Sequence, residues 1–252
     1  MTFFGGDLTM LNFTGKHAMI LALSAAFAAS AQAGRVPLTF TGWNADLIAS
    51  VGDASPVAGT NNDFSGFVFY QAGAGGELDG LPAGGSFNST VDSTPFTFAP
   101  YSGNNAVLNS GTITVTTPKA YSDLSFLVLN GETFTVTLTY ADSTTTVING
   151  TASGWTTAPN AKTAIANFGT VVRNATWGSE FQGVQMQQFT TSINPTKNVQ
   201  SVAFVGGRED GSNALFAVSG TLSSVATPEP TSLALIGAGL LVLGSLARRK
   251  VA

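Results

Sequence analysis

The sequence contains no cysteine and a single histidine, His17. Without thiols the chain can form neither disulfides nor Cys-ligated zinc or iron sites, so core packing alone must hold the fold together. His17 lies in the N-terminal stretch that is interpreted below as a leader, which leaves the expected mature protein without an imidazole. Ser-His-Asp and Cys-His mechanisms and the usual histidine metal sites are therefore excluded for that mature protein.

Charged residues are also scarce, at 10% of the chain. Between residues 34 and 227, six basic side chains stand against twelve acidic ones, which gives this region a formal charge of −6. Nucleic acid would be repelled, because its binding depends on clustered lysine and arginine. We therefore expect no nucleic-acid partner.

The chain is instead rich in Gly, with 29 residues, and in stretches of Thr, Ser and Asn. Apolar residues alternate with threonine in TFTVTLTY at 133–140, which predicts a strand with one buried and one solvated face. The stretch LSFLVL at 124–129 is apolar on both faces. It predicts a central strand that is covered on two sides.

Turn-forming residues separate further strand-like runs, at 64–70, 170–176, 180–190, 198–205 and 213–222. No helical periodicity lies between them, which argues against βαβ units. The pattern predicts an all-β domain over residues 34–225, built as an antiparallel two-sheet sandwich with a jelly roll as the favoured form.

The order of segments such as YSGNNAVLN, TPKAYSDLSFLVLNG and TVTLTYADSTTT resembles the galactose-binding-type jelly rolls of bacterial surface proteins and carbohydrate-binding modules. This resemblance covers about residues 100–220. It implies a fold more than a function, because one fold carries many functions.

The N-terminal stretch KHAMILALSAAFAASAQAG has the three parts of a secretory signal. It starts with a positive charge, continues as an apolar run, and ends with Ala31 and Ala33 directly before Gly34, where small residues suit signal peptidase. We expect residues 1–33 to be a signal helix that this enzyme removes. A buried N-terminal helix is the alternative interpretation.

The first nine residues carry Asp7 and no cation, which is unusual in front of a signal peptide. A translation start at Met10 would restore a short positive region that carries Lys16.

The C-terminal region, residues 226–252, contains an apolar run of fifteen residues at 233–247. As a helix this run is about 22 Å long, whereas a bilayer core is about 30 Å thick. Pro228 and Pro230 fix an extended entry to it. The run predicts a short transmembrane helix that serves as a transient tether in the inner membrane.

Three cations follow this run: Arg248, Arg249 and Lys250. By the positive-inside rule they stay in the cytoplasm, so the domain that precedes the run lies outside the inner membrane.

Pro228, Glu229 and Pro230, the apolar run and the terminal cations occur in the order found in the PEP-CTERM protein-sorting domain of Gram-negative bacteria, which this tail closely resembles. The resemblance implies recognition by an exosortase, a membrane-embedded cysteine transpeptidase that cleaves near Pro-Glu-Pro and releases or transfers the exported domain. Such proteins typically occur in bacteria that make exopolysaccharide. A short permanent anchor with a proline hinge is the alternative.

Two kinds of binding site are candidates in the central domain. Trp155, and with it Trp43 and Trp177, could stack on the C–H face of a sugar, although large aromatics more often belong to a core. Asp63, Glu209 and Asp210 offer hard oxygen ligands that suit a structural calcium, although such residues are also ordinary in loops. We expect no other cofactor.

These features predict an exported, non-enzymatic protein of the cell surface or extracellular matrix that binds exopolysaccharide or serves as a matrix component. A surface glycoside hydrolase is the alternative, because twelve acids could include two carboxylates at the required separation of about 5 to 9 Å. A third possibility is a passive cargo whose sorting tail is its only informative part.

Overall fold

The structure is a computed structural model, and it describes residues 34–56, 66–129, 131–172, 176–207 and 213–223. The alternating segment 133–140 and the segment 124–129, which is apolar on both faces, both form strands in it. The predicted signal helix and the predicted membrane helix lie outside these ranges. Within them, no helix is long and apolar enough to cross a bilayer.

The described part of the chain contains fourteen strands and one short 3-10 turn, Ala74–Gly76. The strands are β1 (Arg35–Pro37), β2 (Phe40–Thr41), β3 (Ile48–Ala49), β4 (Phe67–Tyr70), β5 (Ser86–Asn88), β6 (Pro95–Thr97), β7 (Val107–Leu108), β8 (Ser110–Leu129), β9 (Thr133–Tyr140), β10 (Thr145–Thr151), β11 (Thr163–Val172), β12 (Ser179–Ser192), β13 (Asn198–Gly206) and β14 (Ala214–Leu222).

Twelve strands form one large sheet, and β5 and β6 form a separate two-stranded sheet. The large sheet follows the order β10-β9-β13-β8-β12-β11-β4-β3. Beside this path, β2 pairs with β8, and β14 pairs with β1, β7 and β8. The all-β prediction is therefore confirmed.

Strand β8 joins the two halves of the large sheet. Its first part pairs with β13 and β2, and its second part pairs with β12 and β14. The register against β13 shifts between Thr114 and Lys119, and Pro118 lies within this interval. Because proline has no N–H to give to a ladder, the pairing with β13 is interrupted there, and β13 remains the partner up to Ala120. Pairing with β14 and β12 follows from Tyr121 and Asp123.

Both faces of the second part of β8 are buried. Phe126 and Val128 belong to a core cluster that they share with Ile113 and Val136 from the first half of the sheet. Leu127 points into a second cluster, with residues of β6, β11 and β14. The prediction of a central strand covered on two sides is therefore confirmed for 124–129.

The large sheet differs from the predicted arrangement in two ways. Its halves are continuous through β8, and β3 pairs with β4 in parallel, with Ile48 opposite Phe69. A parallel pair needs a connection of about a dozen residues or more, and residues 50–66 separate β3 from β4 in the sequence. The prediction of two wholly antiparallel sheets is wrong in these respects.

Candidate functional site

An open groove of about 680 Å³ lies where several connecting segments converge beside β2, β4 and β6. Its walls are residues 38–40, 43, 50–52, 71, 83–85 and 97–102. These segments are distant in sequence, and the ends of short strands bring them together. The groove is a concave, mostly apolar surface of the kind that binds small ligands or chain segments.

Trp43 forms the aromatic wall of the groove. The indole is half-buried and packs against the first core cluster. Its ring meets that of Phe40 edge-to-face, with centroids 5.9 Å apart and planes at 76°. Such a pair contributes about 0.5–1.5 kcal/mol beyond its buried area, so the indole is held in place while part of it faces the groove.

Amide and hydroxyl groups hold the other walls. The Gln71 side chain accepts a hydrogen bond from the Val51 N–H at 3.0 Å and donates one to the Ala83 carbonyl at 2.8 Å. The Tyr101 hydroxyl donates to the Pro82 carbonyl at 2.9 Å, and burial raises the pKa of Tyr101, which keeps it neutral. Among the described residues that line the groove, none carries a charge.

Trp155 and Trp177 lie elsewhere. Trp155 packs against the second core cluster, and its carbonyl accepts a hydrogen bond from Gln185 at 3.0 Å. Trp177 packs against a third cluster, and its ring covers Gly75 so closely that a Cβ there would lie 2.1 Å from Cδ2. The structure therefore does not bring the three predicted tryptophans together, and Trp43 alone of the three lines the groove.

A second polar centre surrounds Arg35, at the start of the domain. Its Nη1 donates to Asp92 at 3.0 Å, and its Nη2 donates to Asp123 at 2.5 Å. Its Nε donates to the Thr221 hydroxyl at 3.2 Å. We call Arg35, Asp92 and Asp123 the Arg35 clamp. It connects β1, the turn between β5 and β6, β8 and β14.

The clamp keeps Asp92 ionised. Partial burial alone would raise the pKa of Asp92, but hydrogen bonds from Thr94 and Gln188, together with the charge of Arg35, outweigh burial and lower it. A general acid of a glycosidase needs the opposite shift. The arrangement is suited to holding strands together.

Several predicted site residues lie outside the described ranges. They are the calcium candidates Asp63, Glu209 and Asp210, the cleavage-site residues Ala31 and Ala33, and the sorting residues Pro228, Glu229, Pro230, Arg248, Arg249 and Lys250. Gly34, at the predicted cleavage site, is the first described residue and is exposed. Within the described ranges, no three His, Cys, Asp or Glu side chains are grouped so that they could hold a metal ion.

The sequence analysis named Trp43 as a candidate, but it predicted neither the groove around Trp43 nor the Arg35 clamp. Asp92 and Asp123 lie 57 and 88 positions from Arg35, so no local motif indicates the clamp. Gln71 likewise reaches groove loops that are distant in sequence. One feature of the sequence could have indicated the clamp. Arg35 is one of only a few cations and lies at the predicted mature N-terminus.

Comparison with known families gives one match. The model of the PEP-CTERM protein-sorting motif matches residues 226–250. This match confirms the predicted sorting motif and indicates an exported protein that an exosortase processes. A search of curated proteins finds no match to the chain.

Proposed function

We propose that the chain is a non-enzymatic protein of the cell surface or extracellular matrix, and that its β domain binds uncharged segments of exopolysaccharide in the groove beside Trp43. The observation that carries this proposal is a fixed, partly exposed indole beside walls whose described residues contribute only apolar, hydroxyl, amide and backbone groups. The proposal includes the jelly-roll-like, galactose-binding type of sandwich, which the shared core between the two sheet halves supports.

The groove favours a neutral ligand for an electrostatic reason. An anionic sugar would bring charge into a surface whose described residues offer no cation to pair with it. Losing hydration without such pairing costs free energy. A neutral pyranose instead offers a C–H face to Trp43 and hydroxyls to the polar walls. Uronic-acid polymers should therefore bind more weakly than neutral ones.

The proposal also covers how the protein reaches the surface. Signal peptidase removes residues 1–33, and the short helix in 226–252 holds the chain in the inner membrane until exosortase cuts near Pro228–Pro230. The matched sorting motif supports the second step. Intact-mass measurement of the secreted protein should give a chain that begins at Gly34 and ends near the two prolines. A secreted form that retains 233–247 would contradict it.

The proposed binding of exopolysaccharide is tested with the processed, secreted protein on an array of neutral and acidic polysaccharides. Titration calorimetry then measures the affinity. Trp43→Ala should weaken binding to the best neutral ligand by about tenfold or more, because a central aromatic anchor is typically worth at least 1.4 kcal/mol. Trp177→Ala is the matched control, because it removes another half-buried indole outside the groove.

Equal loss of binding in both variants would mean that the indole acts through stability and not through contact. Flat responses across all polysaccharides would leave a structural matrix role or passive cargo as the function. The hydrolase alternative has no comparable support, since the two carboxylates of the clamp share one guanidinium.

The proposal assigns no cofactor. A structural calcium at Asp63, Glu209 and Asp210 is the alternative, and it would appear as a lower Tm in the presence of EDTA, since a ligand that binds only the folded state raises stability.

A further inference from the structure

Strand β10 forms one end of the large sheet. It pairs with β9 along all seven residues without a register shift, from Thr145 opposite Thr139 to Thr151 opposite Thr133. In the described part of the chain, no strand pairs with its other side. The outer edge of β10 is therefore a continuous row of backbone groups that face away from the sheet.

The direction of each backbone group follows from the hydrogen bonds that flank the strand. Tyr140 N–H donates to the Thr144 carbonyl, and Ala152 N–H donates to the Glu132 carbonyl. Because bonded pairs alternate in an antiparallel ladder, the even-numbered residues of β10 bond to β9. The N–H and C=O groups of the odd-numbered residues point outward, at Thr145, Val147, Asn149 and Thr151.

This edge lacks the devices that usually protect a sheet edge, which are charge, proline, a bulge or short length. The sequence of β10, TTVINGT, contains no charged residue and no proline, and its pairing with β9 has no bulge. Other edges of the sheet are short. Strand β3 has two residues, and β1 has three, including Pro37. Strand β10 is therefore the edge in the described structure that is best suited to pairing with another strand.

We propose that β10 pairs with β10 of a second copy of this chain, antiparallel and with a two-fold axis at Ile148, so that the two large sheets become one. In this register Thr145 faces Thr151 of the partner subunit, and Val147 faces Asn149 of the partner subunit. The outward backbone groups then meet their complements and form about eight hydrogen bonds. A shift by one residue would oppose groups that already bond to β9, and a shift by two would leave only about six hydrogen bonds, so this register forms the most bonds.

The core-facing side of β10 also fits a copy of itself. The Phe134 ring fills the position that a side chain at Gly150 would occupy, and a cavity of about 380 Å³ opens beside the two residues, with Phe189 in its wall. In the proposed register, Gly150 faces Thr146 of the partner subunit, whose methyl group can enter this space. Lys162 Nζ lies 3.5 Å from the Thr151 hydroxyl at one end of β10, and Lys197 pairs with Asp142 at the other end. In this register Lys162 approaches the Asp142–Lys197 ion pair of the partner subunit, which has no net charge.

A single strand pair buries less surface than the roughly 1,200–2,000 Å² of a stable interface, so the dimer should be weak and depend on concentration. Such pairing suits a protein that accumulates at a surface or in a matrix. It does not depend on the groove or on any ligand.

The test is sedimentation equilibrium of the processed, secreted protein from about 10 µM to about 1 mM, a range that covers weak association. The wild type should shift from monomer toward dimer. Val147→Pro should stay monomeric, because it removes an outward N–H without touching the β9 ladder, and edge strands tolerate proline. Thermal unfolding checks that this variant folds.

Val205→Lys is the matched control. Val205 lies on the same solvent-facing side of the sheet and is 52% exposed, as Val147 is 61% exposed, but it belongs to the inner strand β13. This variant should dimerise like the wild type. If Val205→Lys abolishes the dimer and Val147→Pro does not, association uses the sheet face and the proposal is wrong.

Hydrogen exchange gives a readout that does not depend on variants. The amides of Val147 and Asn149 should exchange more slowly at high than at low protein concentration, while that of Ile148 should not change. A wild type that stays monomeric over the whole range, or equal exchange at both concentrations, would overturn the proposal.

Discussion

The carboxylate of Asp142 lies 2.9 Å from Nζ of Lys197 and accepts hydrogen bonds from the backbone and hydroxyl of Thr144. The bond from Lys197 and those from Thr144 lower the pKa of Asp142 from 3.8 to about 2. Lys197→Met should therefore raise the pKa of Asp142 toward 3.8, as measured by NMR titration of its carboxyl carbon. Lys162→Met is the control and should leave it unchanged.

The ion pair of Asp142 and Lys197 also makes the stability of the fold depend on pH. The folded pKa of Asp142 is lower than the unfolded one, so its interactions stabilise the fold above about pH 4 and are lost as the pH falls toward about 2. The stability difference between wild type and Lys197→Met should shrink over that window. A difference that persists at the acidic end would show that Lys197 acts through other contacts.

Gly150 is a second residue whose role is local. A Cβ at this position would lie 2.2 Å from Cζ of Phe134, which is buried in the first core cluster. Gly150→Ala should lower the free energy of unfolding by about 1–3 kcal/mol, because the ring must leave its packed position. Urea denaturation measures the change.

Gly178→Ala provides the comparison for this variant, since an added Cβ there meets no atom within 4 Å. It should change the free energy of unfolding by less than about 1 kcal/mol. Equal effects of the two variants would mean that Phe134 moves aside without cost.

At the scale of strands, the Arg35 clamp ties the short strand β1 to the turn that ends β5 and to β8. Arg35→Met should lower the free energy of unfolding by about 1–3 kcal/mol, because Asp92 and Asp123 lose their shared partner in a partly buried setting. Chemical denaturation at neutral pH measures this. Lys119→Met, which removes an exposed cation of β8, should cost less, and an equal cost would refute a structural role for the clamp.

The strands also show what the sequence could and could not predict. Strand β9 was predicted with its correct bounds, 133–140, because its period of two reports directly which face is buried. Strand β11 was predicted at 170–176 but spans Thr163–Val172. Repeated register shifts against β12 break its periodicity, so the local pattern does not report the strand.

Long-range features were missed for a related reason. Asn149-Gly150 is a turn signal in isolation, yet both residues lie inside β10, because Gly150 is required by the ring of Phe134 on the neighbouring strand. Local propensity yields to a tertiary contact that is not visible in the sequence. The groove and the clamp depend on such contacts throughout, whereas the sorting tail is a contiguous motif and was predicted.

At the scale of the whole domain, its two ends lie side by side. Strands β1 and β14 pair antiparallel, with Arg35 opposite Thr221. The chain therefore enters and leaves the β domain at one point. A leader removed before Gly34 and a tail that begins at 226 would both be attached there, so the two proposed processing steps act on the same end of the domain.

The position of β14 leads to a last prediction. This strand comes last in the described chain but lies inside the large sheet, between β8 on one side and β1 and β7 on the other, and residues 214–220 are buried. Residues 34–225 should therefore unfold in a single cooperative urea transition, whereas residues 34–213 should show none, because the loss of β14 opens both core clusters. Residues 38–225, which lack only the edge strand β1, serve as the control and should keep a transition at a lower midpoint. If residues 34–213 unfold cooperatively, β14 is not required, and the domain can complete its fold before the segment next to the sorting tail has been exported.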